Sequence, residues 1–408
     1  MLKIKPAIFL LLVLLFLCSC QIKDDTPGPG NLVLVSYTRI TTSAISQNVL
    51  DGILTASQEF NDNILQNLTQ YNVNVYKVVY KTTYRGVEIQ ASGACIVPET
   101  SGVAVPIASY QHGTICYEKK APSNFTNVFD ANMAEMLFPE AVSSSGFICS
   151  VPDYIGFGAS GDTIHPYHHQ ESTANACVDM LRAVKELCRE LSVNFQEKYF
   201  LFGYSEGGYA TLAALRKLQV SYASEYPITA CAAGSGAYDL SNSITWFLQQ
   251  QTLSGPTFLC FFLTAYKDVY GWTRSLCDFF KSPYCERIAS GLFNGDNSED
   301  YIAGQLTSQT QNLFNGVFLA DFLGGGEQAL KNALIENSVY QGWFPTCATR
   351  LYQGTADKIV PPFNAVNAKN AFTAAGATAV SYYPLAGLTH ETAVVPYVKD
   401  VVQWFKSL

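Results

Sequence analysis

The pentapeptide Gly203-Tyr204-Ser205-Glu206-Gly207 ends the apolar run FLFGY at residues 200–204 and opens an amphipathic stretch at Glu206. A strand that ends on such a serine and turns at once into a helix holds the hydroxyl at the tip of a sharp bend. Flanking side chains would clash there, and glycines do not. A serine hydroxyl is a weak nucleophile at neutral pH unless a base takes its proton and an acid orients that base. The chain has five histidines, and four of them (His112, His165, His168 and His169) precede Ser205, which does not fit the order serine, acid, histidine. His390, in YPLAGLTHETA, follows an apolar run and precedes the last amphipathic stretch, so it is the candidate base. Asp357, in LYQGTADKIVPP, is the candidate acid; the segment from it to His390 has room for one helix and one strand. Asp239, just past the strand that follows the serine, is the competitor, and Glu336, inside a long insertion, is a weaker one.

An acyl-transfer intermediate also needs N–H groups aimed at its developing negative charge. The N–H of Glu206, next after the nucleophile, is one source. The loop SYQHGT, which follows the apolar run at 106–111, offers His112, Gly113 and Thr114 for the second. His165, His168 and His169, with Asp162 and Glu171 nearby, have residue types that bind metals, but their spacing on a proline-containing loop is only permissive. No metal and no cofactor is expected.

These residues have to be carried by a scaffold. Residues 73–97 alternate apolar and polar side chains about a turn near Arg85 and Gly86, which predicts an antiparallel hairpin. Short apolar runs at 106–111, 147–151, 199–203, 228–233, 350–353 and 380–384 predict strands. Amphipathic stretches at 171–191, 206–221, 362–375 and 392–408 predict helices between and after them. Strands alternating with helices make an α/β fold with a mostly parallel sheet covered on both faces. Residues 240–344 break the rhythm: they show several weak helical periods and no clear strand, which fits a folded cap better than a loop of that length. The expected organisation is therefore a core of residues 32–239 and 345–408 with a mainly helical cap, residues 240–344, inserted into it.

Charged residues are 14% of the sequence and hydrophobic residues 48%, a balance that excludes disorder. The net charge of −8 makes nucleic acid a poor partner. Lys3 and Lys5 precede the apolar run at 7–17, too short to span a bilayer, so residues 1–19 read as a signal peptide. The residues Leu17-Cys18-Ser19-Cys20 resemble a bacterial lipobox, in which the last cysteine becomes the lipidated first residue of the mature chain. Residues 20–31 then form a Pro- and Gly-rich tether, and QIKDD at 21–25 resembles the export tag of surface lipoproteins. Together they predict a chain anchored by lipid in the cell envelope, at the outer membrane and on its surface. Of the remaining cysteines, Cys277 and Cys285 flank Pro283 and are the best candidate disulfide. Cys149, Cys188 and Cys231 fall in apolar runs and read as small core residues.

SYQHGT, then VPDYIGFGASGDTIHPYHH with VDMLRAV after it, then GYSEGG, GTADKIVPP and YPLAGLTHETA, resemble in that order the secretory lipase family of α/β-hydrolases. The resemblance spans roughly residues 75–405, apart from the interval at 240–344. It implies an α/β-hydrolase fold with a helical cap over an apolar acyl pocket, and a serine-dependent carboxylic ester hydrolase acting on a small-molecule or lipid ester. Ser205, His390 and Asp357 would then be nucleophile, base and acid, with an acyl-enzyme intermediate. The chain departs from some members of that family in having HGT where they carry an acidic residue in the oxyanion loop. The apolar segments 258–265 and 314–323 are both expected to border the acyl pocket. Two other classes compete: a serine peptidase of the prolyl oligopeptidase type, and a non-catalytic binding protein on a hydrolase scaffold. No repeat that would form a propeller is visible, and the intact serine, acid and histidine argue against the second.

Overall fold

Alternation of buried side chains to two sides decides how the central strands are used. In β6 (Phe195–Tyr204), Tyr199 and Leu201 join one apolar cluster with Leu187 of α2 (Gln170–Glu190) and Leu215 of α3 (Glu206–Ser221). The intervening Phe200 and Phe202 join a second cluster with Val401 and Phe405 of α12 (Val394–Lys406). A strand buried on both faces must be apolar at successive positions, and this is why the run reads as continuously hydrophobic.

The computed structural model describes residues 32–41, 44–50 and 69–408. The signal peptide and the whole tether, Cys20 included, lie outside them. The sheet has nine strands in the order β1-β2-β3-β5-β4-β6-β7-β8-β9. β1 (Leu34–Arg39), β2 (Val73–Tyr84) and β3 (Val87–Pro98) are antiparallel, and β3 also pairs antiparallel with β5 (Ile148–Pro152). From β5 through β4 (Val105–Gln111), β6, β7 (Ile228–Gly234), β8 (Ala348–Gly354) and β9 (Val380–Leu385), every pairing is parallel. The β2–β3 hairpin closes as expected with Tyr84 opposite Val87, and the two turn residues Arg85 (φ 52°) and Gly86 (φ 76°) both take positive φ. That two-residue turn matches the right-handed twist of its strands.

Among the described β-strands and α-helices with both ends defined, two have no counterpart among the expected ones. β1 is an exposed edge strand, secured at its start by the N–H groups of Val33 and Leu34 on the Glu186 carboxylate. α1 (Leu137–Ser144) is a short helix before β5, packed on the α12 side of the sheet through Val142.

Between β7 and β8 the described chain runs through seven helices: α4 (Leu240–Gln249), α5 (Pro256–Val269), α6 (Tyr284–Ala289), α7 (Glu299–Gln305), α8 (Thr310–Leu313), α9 (Gly316–Leu323) and α10 (Gln328–Glu336). Their apolar faces join the cluster that covers the α3 side of the sheet, and Leu32–Leu408, insertion included, forms one compact unit. Cys277 and Cys285 are disulfide-bonded within the insertion, and Cys149, Cys188 and Cys231 are buried free thiols. α11 (Phe363–Ala374) links β8 to β9 and buries Phe372. Among the described residues no helix is long and apolar enough to cross a membrane.

Candidate active site

β6 ends at Tyr204 and α3 begins at Glu206, so Ser205 alone makes the turn, with φ 60° and ψ −123°. This left-handed region is costly for a residue with a Cβ and persists only where the surroundings fix it. The Ser205 N–H donates to the carbonyl of Gly234 at the end of β7, 2.9 Å away. The flanking glycines follow from crowding. A Cβ on Gly203 would lie 2.4 Å from the Gly207 carbonyl oxygen, and one on Gly207 would lie 1.9 Å from that of Gln111.

Asp357 stands in the turn after β8, and its carboxylate is fully buried. Oδ1 accepts from the N–H groups of Ile359 (2.9 Å) and Val360 (2.8 Å). Oδ2 lies 2.7 Å from Nδ1 of His390 and accepts from Gln353 Nε2 at 3.1 Å. A carboxylate surrounded in this way requires the proton of His390 to sit on Nδ1, leaving the lone pair of Nε2 to face Ser205 Oγ at 2.9 Å. His390 comes from the loop after β9, and its backbone carbonyl accepts from the Tyr204 hydroxyl at 2.7 Å. Burial raises the Tyr204 phenol, which keeps it a donor. The sequence does not single out Tyr204, whose bond to His390 spans the fold, or Gln353, whose contact with Asp357 four residues on has no marker of its own in the run LYQGTAD.

The competing acids are otherwise engaged. Asp239 is the N-cap of α4: Oδ1 accepts from the N–H of Asn242 (3.1 Å), and Oδ2 from the side chains of Asn242 and Asn367 (both 2.7 Å). Glu336 is exposed and accepts from the Tyr270 hydroxyl at 3.1 Å.

The loop after β4 packs directly on the elbow, since the same Cβ on Gly207 would also meet the His112 carbonyl oxygen at 2.8 Å. Its three candidate residues differ in what they have free. The Gly113 N–H already donates to Glu135 Oε1 at 2.5 Å, a contact that Tyr110 shares through its hydroxyl (2.8 Å). The His112 ring is buried, with Nδ1 2.7 Å from the Gly113 carbonyl oxygen and Nε2 3.3 Å from that of Asp153. Thr114 Oγ1 lies 2.9 Å from the Tyr167 hydroxyl. Glu206, by contrast, is the first residue of α3, and the first N–H groups of a helix have no intrahelical acceptor. Glu135 thus brings an acidic side chain to the loop from outside the HGT stretch.

His165, His168 and His169 do not gather as metal ligands. His165 Nε2 is 2.6 Å from Glu206 Oε1, while His169 Nδ1 is 2.7 Å from Ser172 Oγ. Burial pushes the His168 imidazole down to about 4. Among the described residues, the His, Cys, Asp and Glu side chains that come close enough in a group of three are Cys277, Cys285 and Glu286, and the two sulfurs there are bonded to each other.

Ser205 lines an apolar pocket. Its walls are Leu240, Ile244 and Phe247 of α4, Phe258 and Phe262 of α5, and Ile359 and Val360 from the Asp357 turn. The expectation for residues 258–265 holds on one helix face. Phe261, on the other face, stacks on Tyr167 (5.0 Å) and Phe293 (4.9 Å). For residues 314–323 it is corrected: Phe314 packs on Phe280 (5.5 Å) and Phe318 on Phe279 (5.3 Å), away from the pocket. Short helices must bury their apolar faces against one another, and each ring so buried contributes about 2 kcal/mol. A cluster that can be satisfied within the insertion is therefore not left to line a pocket.

The sequence matches the family model described as secretory lipase over residues 122–407. A comparison with curated proteins finds no match. Among solved structures, a "putative hydrolase" from Legionella pneumophila is 26% identical, with a TM-score of 0.82, covering 92% of this chain and 98% of that one. The rice cell wall degrading esterase LipA from Xanthomonas oryzae is 21% identical, with a TM-score of 0.79 over 93% of this chain and 98% of its own. Candida antarctica lipase A in its closed state, 15% identical with a TM-score of 0.63, covers 92% of this chain and 85% of its own. The last two likenesses are of fold. The family match extends over most of the chain, so the protein belongs to the secretory lipase family and is a lipase-like carboxylic ester hydrolase on the α/β-hydrolase fold.

Proposed function

We propose that this hydrolase cleaves its ester through an acyl-enzyme on Ser205. His390 Nε2 takes the Ser205 proton as Oγ attacks the ester carbonyl carbon, and returns it to the departing alcohol oxygen. The same nitrogen then deprotonates a water that attacks the acyl carbon, and the acid leaves as Ser205 regains its proton. Asp357 fixes the imidazole tautomer and balances the imidazolium that forms in each half. The Glu206 N–H receives the oxyanion, with the adjoining His112–Thr114 loop as the second source of donors. The observation that carries this reading is the unbroken hydrogen-bonded series from Ser205 through His390 to Asp357, with Ser205 lining an apolar pocket.

Residues 240–344 act in this reading as a cap on the core of residues 32–239 and 345–408, with α4 and α5 forming the acyl side of the site. Each acyl methylene buried adds about 0.8 kcal/mol at most. Across p-nitrophenyl esters from acetate to palmitate, on enzyme titrated at Ser205 with a fluorophosphonate, kcat/KM should rise with chain length and then level off. Phe262→Trp, which fills the pocket, should move the plateau to shorter chains. Titration at another residue sinks the nucleophile assignment, and an unmoved plateau places the acyl chain elsewhere.

The envelope location is part of the same proposal: residues 1–19 are a lipoprotein signal peptide, Cys20 is acylated, and the tether holds the enzyme at the outer membrane, on the cell surface. Its support is the sequence Leu17-Cys18-Ser19-Cys20 after a short apolar run. Several acyl chains, at about 0.8 kcal/mol per buried methylene, would anchor it firmly. Cys20→Ala should move the protein from the membrane fraction to the soluble one, whereas unchanged fractionation would leave a plain secretory signal.

A further inference from the structure

Beside the nucleophile lies a second buried ionisable pair that the reaction above does not use. His165 has acceptors at both ring nitrogens: Nδ1 is 2.6 Å from the Ile155 carbonyl oxygen, and Nε2 is 2.6 Å from Glu206 Oε1. A carbonyl oxygen only accepts, so Nδ1 carries a proton. The pair's other proton lies between Nε2 and the carboxyl group, and its position decides between imidazolium with carboxylate and imidazole with carboxylic acid.

The surroundings favour the charged pair. Four aromatic rings face the imidazole: Phe157 at 5.2 Å, Tyr154 and Phe261 at 5.7 Å, and Tyr167 at 6.0 Å between centroids. Such a box attracts a cation. Glu206 opens α3, where the unpaired N–H groups favour negative charge. Burial by itself raises the Glu206 carboxyl. The charge and hydrogen bond of His165 are the largest influences opposing it, and the group is held below the usual carboxylate range. The other titratable groups nearby do not compete for the role. His168 is neutral, its imidazole having been pushed down to about 4 by burial. Burial also keeps the phenols of Tyr154, Tyr167 and Tyr209 and the thiols of Cys116 and Cys177 protonated. The His112 ring faces backbone carbonyls.

What gives the pair a function is its position. The residue whose N–H is to meet the oxyanion also carries this carboxylate, and both side chains of the pair are only 2% exposed, so water screens little of the charge. An uncompensated carboxylate there would oppose the negative charge growing on the substrate oxygen. We propose that His165 is a positioning residue for ester hydrolysis, an imidazolium that pins and neutralises the Glu206 carboxylate so that the Glu206 N–H can stabilise the oxyanion. This rests on the reading of Ser205 as nucleophile.

His165→Gln keeps a donor opposite Glu206 and removes the positive charge. Its kcat should fall about a hundredfold, the size of losing one oxyanion donor, with little change in KM. Without its cation the buried Glu206 carboxyl titrates at higher pH and is ionised above that point, so the ratio of variant to wild-type kcat should fall further as pH rises. The double variant His165→Gln/Glu206→Gln leaves no charge to neutralise; it should regain most of the loss and flatten the ratio. A double variant no better than the single one, with a flat ratio in both, overturns the proposal. Nitrogen NMR of the wild-type imidazoles gives a readout even if the variants misfold: the His165 ring should show both nitrogens protonated at the pH of the kinetic assay, and a bare nitrogen there overturns the proposal. Fluorophosphonate labelling separates the two readings. If Ser205 of the wild type is not labelled, the nucleophile assignment fails and this inference with it. Normal labelling with unchanged kcat in His165→Gln sinks the inference alone.

Discussion

Ser205→Ala should lower kcat by about 10⁶, as removal of the nucleophile does when nucleophile, base and acid act as one unit. It should also abolish fluorophosphonate labelling. The loss should come without unfolding. What anchors the elbow is the backbone bond from Ser205 N–H to the Gly234 carbonyl, together with the close approach of Gly203 and Gly207 to their neighbours. None of these involves Oγ, whose recorded partner is His390 Nε2. Alanine has the same Cβ and meets the positive φ of 60° at a cost similar to that for serine. Circular dichroism and the thermal midpoint should therefore match the wild type. A folded Ser205→Ala enzyme with ordinary ester turnover would remove the serine mechanism altogether.

How much of this was legible in the sequence varied with the range of the interactions involved. The elbow could be read because a strand, a turn of one residue and a helix follow each other directly, and the crowding that demands Gly203 and Gly207 is local. His390 emerged because it is the one histidine after Ser205, and Asp357 because a turn after a short apolar strand leaves few alternatives. The parallel strands showed as continuous apolar runs because both faces are covered, and the β2–β3 hairpin by its alternation. β1 escaped because it is a lone edge strand with almost no buried side chains, and its anchor on Glu186 is remote in sequence. The last helix begins at Val394 rather than Thr392, since the turn that presents His390 uses Thr389 and Thr392 to bond each other's backbone N–H groups. Tyr204, Glu135 and the Glu206–His165 pair act through side-chain bonds between residues remote in sequence, and Gln353, only four residues before Asp357, has nothing in its strand run that marks its amide as a partner. Within the insertion, helical periods show which residues are apolar, but not whether they face one another, as Phe314 and Phe318 do, or the pocket, as Phe258 and Phe262 do.

Asp357→Asn should cost about 10⁴ in kcat, because it traps His390 in the wrong tautomer. The neighbours of the carboxylate decide which way the new amide faces. Its Oδ1 side receives two backbone N–H groups, from Ile359 and Val360, which can only donate. Placing the amide NH₂ there would set donor against donor twice, so the amide oxygen must take that side. The NH₂ then points at His390 Nδ1, 2.7 Å from the present Oδ2. A ring nitrogen facing a donor must offer its lone pair, so the proton moves to Nε2, where it faces Ser205 Oγ and cannot receive the serine proton. Gln353 allows this arrangement: its Oε1 is buried without a partner, and turning its amide would let that oxygen accept from the NH₂, at the expense of the bonds from Nε2 to the Gly354 and Val360 carbonyls. The trapped state thus gives up those two bonds and keeps the rest of the network, and the variant should fold while reacting slowly. Asp239→Asn is the control, since Asp239 caps α4 and a neutral amide oxygen can still accept from the Asn242 N–H. It should leave kcat within a few-fold and lower stability by about 1–3 kcal/mol, because its NH₂ would face the side-chain amides of Asn242 and Asn367. If Asp239→Asn proves the more damaging of the two while both variants remain folded, Asp357 is not the acid that orients His390.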